Sequence, residues 1–312
     1  MKVKLLNVGR LPPVLETRLA QAYELTTLAQ EKDPEAFLAA HAADFTALVS
    51  SAAVGVPNTL LDRLTNLKVI SNFGVGLDKL DLAHAQARGI AVGYTPDVLN
   101  DCVADAAFGL LLDVARGMSA ADRFVRGGQW QQGGTFPLGR RVSGARLGIV
   151  GMGRIGRTIA RRSIGFDMDV RYHTRKAVVD VEWRHEPSLV ELARWADYLV
   201  VITAGGPATR HLINEEVLQA LGPDGFLINV ARGSVVDEAA LVQALQTKAI
   251  AGAALDVFEH EPEVPSALMA LDNVVLLPHI ASSTRETRQA MADRVFDNLQ
   301  AYFAEGRLLS PA

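Results

Sequence analysis

A chain of 312 residues has room for about two domains, at roughly 150 residues each. Its 49% hydrophobic and 21% charged residues are those of a globular chain with a large core, and its formal net charge of −4 excludes the basic face that nucleic acid or an anionic membrane would need. The single cysteine, Cys102, excludes an intrachain disulfide and a cysteine-built metal cluster.

Residues 3–8 read as a strand and 12–21 as a helix opened by Pro12. A second buried strand spans 45–50, and a helix begins near Pro57. A third strand, 67–71, ends in the turn Asn72-Phe73-Gly74-Val75-Gly76, and 81–88 is helical up to Gly89. Strands alternating with helices imply βαβ crossovers and a mostly parallel sheet. One long helix is expected over 101–118, carrying the chain into a second domain, followed by a glycine-rich surface loop at 127–134. Strand-like runs then recur at 147–150, 169–173, 198–203, 226–229, 252–256 and 274–277, and six of them match a dinucleotide-binding sheet. A long amphipathic helix over 286–303 closes the chain. The longest apolar runs, such as 198–204, are too short to span a bilayer, and no signal-peptide pattern follows Met1. A cytoplasmic protein is expected.

Gly151-Met152-Gly153-Arg154-Ile155-Gly156 is a G-x-G-x-x-G string. The string alone is weak, but it follows the apolar run 147–150 and opens a helical stretch at 157–162, as a Rossmann turn requires. Gly151 permits the tight turn, Gly153 the approach of pyrophosphate, and Gly156 close packing of helix on strand. The helix N-terminus supplies N–H donors to the phosphates. A site for NAD usually carries an acid about twenty residues on, for the ribose 2′-hydroxyl. Here the second strand ends Tyr172-His173-Thr174-Arg175-Lys176, without one. Arg175 can grip a 2′-phosphate and Thr174 can add a bond, which favours NADP(H) over NAD(H). A solvated basic turn is the alternative.

Reduction of a ketone by hydride needs an acid to protonate the nascent alkoxide and a cation to hold a carboxylate and polarise the carbonyl. His279 follows the last strand and is the candidate acid. Glu261 follows the strand 252–256 and can pair with it, favouring the imidazolium. Arg232, just past a third strand, is the candidate anchor. Each alone has a structural explanation; together, beside a cofactor loop on one sheet edge, they form a constellation.

The glycine loop, Leu227-Ile228-Asn229-Val230-Ala231-Arg232-Gly233, Leu255-Asp256-Val257-Phe258 with Glu261-Pro262, and Pro278-His279-Ile280-Ala281-Ser282 resemble the D-isomer-specific 2-hydroxyacid dehydrogenases, in order along nearly the whole chain. The resemblance implies an α/β protein of two doubly wound parallel-sheet domains. They are a Rossmann dinucleotide-binding domain over 100–284 and a flavodoxin-like substrate domain built from 1–99 and 285–312. It implies catalysis by Arg232, Glu261 and His279, contact of Asp256 with the nicotinamide carboxamide, and Val103 against the nicotinamide ring. His173, Thr203, Thr209, Val230 and Ala231 complete the expected cofactor set.

Within the family, Ser71-Asn72-Phe73-Gly74-Val75-Gly76-Leu77-Asp78 resembles the glyoxylate/hydroxypyruvate and hydroxyphenylpyruvate reductases, and the missing acid resembles the NADPH-using members. The N–H groups of Val75 and Gly76 form an anion nest suited to the substrate carboxylate. Ser51, Phe73 and Gly74, with Arg232 and His279, complete the expected substrate site. One stretch departs: Ala204-Gly205-Gly206-Pro207 replaces the bulkier leucine-proline stretch that usually precedes Thr209, at the adenine edge of the site. The resemblance further implies a homodimer with 130–138 near the partner. Trp130 either reaches the neighbour's pocket or packs in the interface.

His41, His84, His185 and His211 lack metal-ligand spacing and read as solvated or locally bonded. Cys102 reads as a small apolar filler. Glyoxylate or hydroxypyruvate is the expected substrate and a phenylpyruvate-type acid the alternative. Relatives of this fold also serve as NAD(H)-sensing corepressors, a reading that the intact Arg, Glu and His disfavour.

Overall fold

The computed structural model describes residues 2–312, and its contacts divide them into two units. One comprises 2–99 with 284–312, the other 100–283. Thr284 falls with the first because its side chain caps the helix Arg285–Glu305, accepting the N–H of Thr287 at 3.2 Å.

The first unit is a five-stranded parallel sheet in the order β2-β1-β3-β4-β5. The strands are β1 (Lys4–Asn7), β2 (Glu24–Thr27), β3 (Ala47–Ser51), β4 (Val69–Phe73) and β5 (Ala91–Gly93). The three central strands are buried on both faces, so they read as continuous apolar runs. Strand β4 runs two residues further than its apolar pattern, to Phe73, and the turn begins at Gly74. Strands β2 and β5 carry no sequence signal. The first is a half-exposed edge strand of Glu24, Leu25, Thr26 and Thr27, and the second has only three residues. The helix Pro34–His41 was also not anticipated; Asp33 caps it, accepting the N–H of Ala36 at 3.0 Å. The C-terminal helix returns to this sheet, where the buried Ser71 hydroxyl donates to the Val295 carbonyl at 3.1 Å.

The second unit is a seven-stranded parallel sheet, β12-β11-β10-β9-β6-β7-β8. Its strands are β6 (Arg146–Val150), β7 (Asp169–His173), β8 (Arg184–His185), β9 (Tyr198–Val201), β10 (Phe226–Asn229), β11 (Gly252–Leu255) and β12 (Val274–Leu276). The two-residue edge strand β8 adds a seventh to the six expected. The order reverses between β6 and β9, the point at which open parallel sheets hold ligands beyond their carboxyl ends. The single helix expected over 101–118 is two, Asn100–Arg116 and Met118–Arg126. Gly117 stands between them at φ 63°, and Asp113 accepts the N–H of Ser119 at 2.8 Å, so the break carries its own cap. Among the described residues, no helix is long and apolar enough to cross a membrane.

Candidate active site

The glycine turn leaves β6 at the switch point. Gly151 sits at φ 108°, and a Cβ there would lie 2.8 Å from the Thr203 backbone nitrogen, so residue 151 has no room for a side chain. A Cβ on Gly156 would collide with the Gly151 carbonyl, which fixes the helix Arg154–Ser163 hard against the turn. Gly153 is different: nothing lies within 4 Å of the Cβ position. It precedes the helix with no side chain capping the first turn, and its open side leaves room for a group as large as a pyrophosphate. Met152 is buried beneath the turn, Ile155 is half-buried and Arg154 exposed.

The residues that follow β7, Thr174-Arg175-Lys176, include no carboxylate. His173 Nδ1 lies 3.0 Å from the Glu186 carbonyl. Arg175 and Lys176 are exposed, and neither side chain is engaged by another group among the described residues. The Thr174 hydroxyl donates to the Lys176 carbonyl at 2.7 Å and so closes its own turn. Thr209 behaves likewise, donating to the Ala204 carbonyl at 2.7 Å within the 204–209 loop. Val230 and Ala231 are buried at the end of β10 and Val103 in the first turns of the helix Asn100–Arg116. The thiol of Cys102, one residue before Val103, donates to the Ala281 carbonyl at 3.0 Å. It therefore ties that helix to the segment after His279 rather than serving only as filler.

The three charged candidates converge beyond β10, β11 and β12. Asn229, at the end of β10 and 1% exposed, holds the Arg232 turn from both sides. Its Oδ1 accepts the Ala231 N–H at 3.0 Å and its Nδ2 donates to the Arg232 carbonyl at 3.1 Å. The Arg232 guanidinium donates to the Ala231 carbonyl at 2.7 Å. Glu261 accepts the N–H of Phe258 at 3.1 Å through Oε1, and its Oε2 lies 2.8 Å from His279 Nδ1. Burial pushes the Glu261 carboxyl up. The hydrogen bond and charge of His279, the Phe258 N–H and the Arg232 charge outweigh that push and hold it below its ordinary range. Arg232, Glu261 and His279 are thus one electrostatic group.

His279 adopts φ 54°, a left-handed conformation uncommon for such a residue. Asp256 accounts for it. Its oxygens accept the N–H of Ile280 at 2.7 Å and of Ala281 at 2.9 Å, the two groups immediately after the imidazole. At 1% exposure the carboxylate is occupied by the His279 turn, and burial raises its pKa against the pull of these bonds. Each oxygen accepts one N–H and keeps a further lone pair, so these backbone contacts do not use up its capacity to accept. The positioning roles of Asn229 and Asp256 were legible only as polar residues ending apolar strands.

In the first unit, the nest residues follow β4. Gly74 has φ 143°, and Thr95 closes on it from both sides, its hydroxyl accepting the Gly74 N–H at 3.2 Å and its own N–H donating to the Gly74 carbonyl at 3.1 Å. The N–H groups of Val75 and Gly76 have no partner among the described residues. Ser51 ends β3, and its hydroxyl accepts the Arg10 N–H at 3.2 Å. Phe73 is buried at 5% exposure with the Arg288 guanidinium 5.7 Å from its ring centre, so its ring is a core group.

His41, His84 and His185 each have a polar partner, Asp44 at 3.4 Å, Asp62 at 2.7 Å and the Thr174 carbonyl at 2.9 Å, of which only Asp44 is near in sequence. His211 does not fit the local reading, because its Nε2 lies 3.1 Å from Glu259, forty-eight residues away. No group of three metal-ligating side chains occurs among the described residues.

Residues 108–281 match the sequence profile of the D-isomer specific 2-hydroxyacid dehydrogenase NAD-binding domain. A glyoxylate/hydroxypyruvate reductase A of Arabidopsis thaliana is 44% identical over 297 residues, covering 95% of both chains. A hydroxyphenylpyruvate reductase of Plectranthus scutellarioides is 46% identical over the same shares. The crystal structure of an NADPH-dependent glyoxylate/hydroxypyruvate reductase from Sinorhizobium meliloti, in complex with NADP and malonate, superposes with a TM-score of 0.92 at 43% identity, covering 100% of this chain and 97% of that one. Two parallel α/β units, the glycine turn at the switch point and these likenesses lead to one assignment: the chain belongs to the D-isomer-specific 2-hydroxyacid dehydrogenase family.

Proposed function

We propose that this enzyme reduces a small 2-oxo acid, glyoxylate or hydroxypyruvate, to the D-2-hydroxy acid with NADPH. The observation that carries the reading is the Glu261–His279 pair at 2.8 Å with Arg232 beside it. Bound nicotinamide cofactor supplies the hydride. His279, held through Nδ1, offers Nε2 as the acid that protonates the nascent alkoxide. Glu261 orients the imidazole through that hydrogen bond. Arg232 holds the substrate carboxylate and polarises the carbonyl.

The open side of Gly153 and the uncapped helix start fit a pyrophosphate, and the absence of an acid beyond β7 fits a 2′-phosphate gripped by Arg175. NADP(H) is accordingly preferred over NAD(H), in keeping with the NADPH-dependent relative of known structure. The unit holding 100–283 serves the cofactor, and in the other unit the Val75 and Gly76 N–H groups, at the carboxyl edge of the sheet, form a nest suited to a carboxylate. Ser51 lines that edge. Trp130 and Leu138, 68% and 100% exposed, are the homodimer contact. The enzyme works in the cytoplasm, without a nucleic-acid or membrane partner.

The likeness to a hydroxyphenylpyruvate reductase favours a second reading, in which the acid is of the phenylpyruvate type. Following loss of nicotinamide absorbance with NADPH and NADH against glyoxylate, hydroxypyruvate and phenylpyruvate separates these. Rapid NADPH oxidation with either small acid supports the proposal. Activity with phenylpyruvate alone supports the second reading, and binding without turnover supports a cofactor sensor.

A further inference from the structure

Three loops leave the carboxyl edge of the nucleotide-unit sheet beside the catalytic group: 202–212 after β9, 230–236 after β10 and 256–262 after β11. They meet at Glu259. Its side chain is nearly enclosed, at 11% exposure, and its Oε1 lies 2.6 Å from Arg210 Nη2 and 3.1 Å from His211 Nε2. Burial pushes this carboxyl up, yet the hydrogen bond and charge of His211, with Arg210, hold it below its ordinary range. The Glu259 N–H donates to Glu238 Oε1 at 2.8 Å, and Glu238 is the first residue of the helix Glu238–Gln246. The peptide before Glu259 bears on Gly233, where a Cβ would overlap the Phe258 carbonyl. His211, itself at φ 50°, donates its N–H to the Ser234 carbonyl at 2.8 Å.

A carboxylate costs free energy to enclose unless it is partnered, and a solvent-exposed turn has no need of one. Here the side chain, the N–H and the preceding peptide of one residue are each fixed by a different loop or helix. That residue stands two positions before Glu261, whose Oε1 accepts the N–H of Phe258, the residue just before Glu259. The turn that aims Glu261 at His279 is thus fastened to the Arg232 loop and to the loop after β9.

We infer that Glu259 is a positioning residue: clamped by Arg210, His211 and Glu238, it holds the 258–262 turn so that Glu261 meets His279 beside Arg232. The inference rests on reading Glu261 and His279 as the proton-transfer pair. Glu259 itself touches neither of them.

The test compares Glu259→Ala, Glu259→Gln, Glu259→Asp and His279→Ala in the full chain by kcat, by KM for the 2-oxo acid and by NADPH binding. Glutamine keeps Oε1, the atom that both Arg210 and His211 engage. Glu259→Ala is expected to lower kcat per NADPH-binding site by about 10–100-fold, as misplacement of a catalytic group by about 1 Å does, while NADPH affinity stays within about twofold. Glu259→Gln recovers most of that loss. Should the alanine variant not fold, Glu259→Asp keeps the charge, withdraws it by one methylene, and is expected to lose kcat. Unchanged kcat in Glu259→Ala, or in Glu259→Asp where alanine does not fold, overturns the inference. So does a glutamine variant as impaired as alanine, or a loss lying wholly in NADPH affinity. Near-normal turnover in His279→Ala overturns the catalytic reading and this one with it. An inactive His279→Ala beside a normal Glu259→Ala overturns this one alone.

Discussion

His279 Nδ1 lies 2.8 Å from Glu261 Oε2, while His279 Nε2 has no hydrogen-bond partner among the described residues. One ring nitrogen is committed to a carboxylate and the other is left for a ligand, the division of labour a general acid requires. His279→Ala should therefore lower kcat by about 10²–10⁴-fold. Cofactor binding should persist, because the glycine turn lies on a different loop. Steady-state kinetics with fluorescence titration of NADPH measures both, and turnover near the parent level would remove His279 from the proton-transfer role.

Asp256 provides the second prediction. Each carboxylate oxygen accepts one N–H from the segment that follows His279, and the group is 1% exposed. Asp256→Asn keeps the shape but turns one acceptor into a donor facing another donor. Leaving a buried donor unsatisfied costs about 1–3 kcal/mol, so the melting temperature should fall. Because the disturbed segment sets the left-handed backbone of His279, kcat should fall with it. An asparagine variant with a lowered melting temperature and undiminished kcat would separate fold from catalysis and count against a positioning role.

The carboxyls of Glu261 and Asp256 are displaced in opposite directions, and the two signs give opposite pH dependences of stability. Glu261 is depressed below its ordinary value of 4.5, so its contribution is present above that value and is lost as pH falls through the lower folded value. Asp256 is raised above 3.8, so its contribution is present below that value and is lost as pH rises through the higher folded one. Denaturant titrations from neutral to acidic pH should show the stability gap between the parent chain and Glu261→Gln narrowing below pH 4.5. A gap independent of pH would mean that the ionised form of Glu261 contributes nothing.

What sequence could disclose followed from residues whose type and place are both constrained. The central strands are buried on both faces and leave apolar runs, and Gly151 and Gly156 stand where any side chain would collide with backbone. Arg232, Glu261 and His279 were legible because charged groups directly after apolar strands are conspicuous. The short edge strands β2, β5 and β8 left no signal, being held by a neighbour's ladder rather than by their own pattern. Long-range pairing was equally hidden. Nothing near His211 in sequence indicates Glu259, and Thr174 and Thr209 turned their hydroxyls onto their own loops. Such contacts depend on loop conformation, which period and composition do not encode.

The proposed preference for NADPH is tested at Arg175. That residue stands exposed just beyond β7 with its side chain not engaged among the described residues, and no carboxylate stands beside it at 174–176. An acid there would bond a ribose 2′-hydroxyl and repel a 2′-phosphate, whereas a guanidinium attracts the phosphate. Thr174 donates within its own turn, which leaves Arg175 as the group to substitute. A hydrogen bond to a charged group contributes about 1.5–3 kcal/mol, so Arg175→Ala should raise KM for NADPH by about 10–100-fold. KM for NADH, which lacks the phosphate, should hardly move, and the preference between cofactors should narrow or invert. Raising the ionic strength should weaken NADPH binding by the parent chain more than by the variant, because an exposed ion pair is screened. Equal effects of the substitution on both cofactors would return Arg175 to an ordinary solvated turn and leave the selectivity to another group.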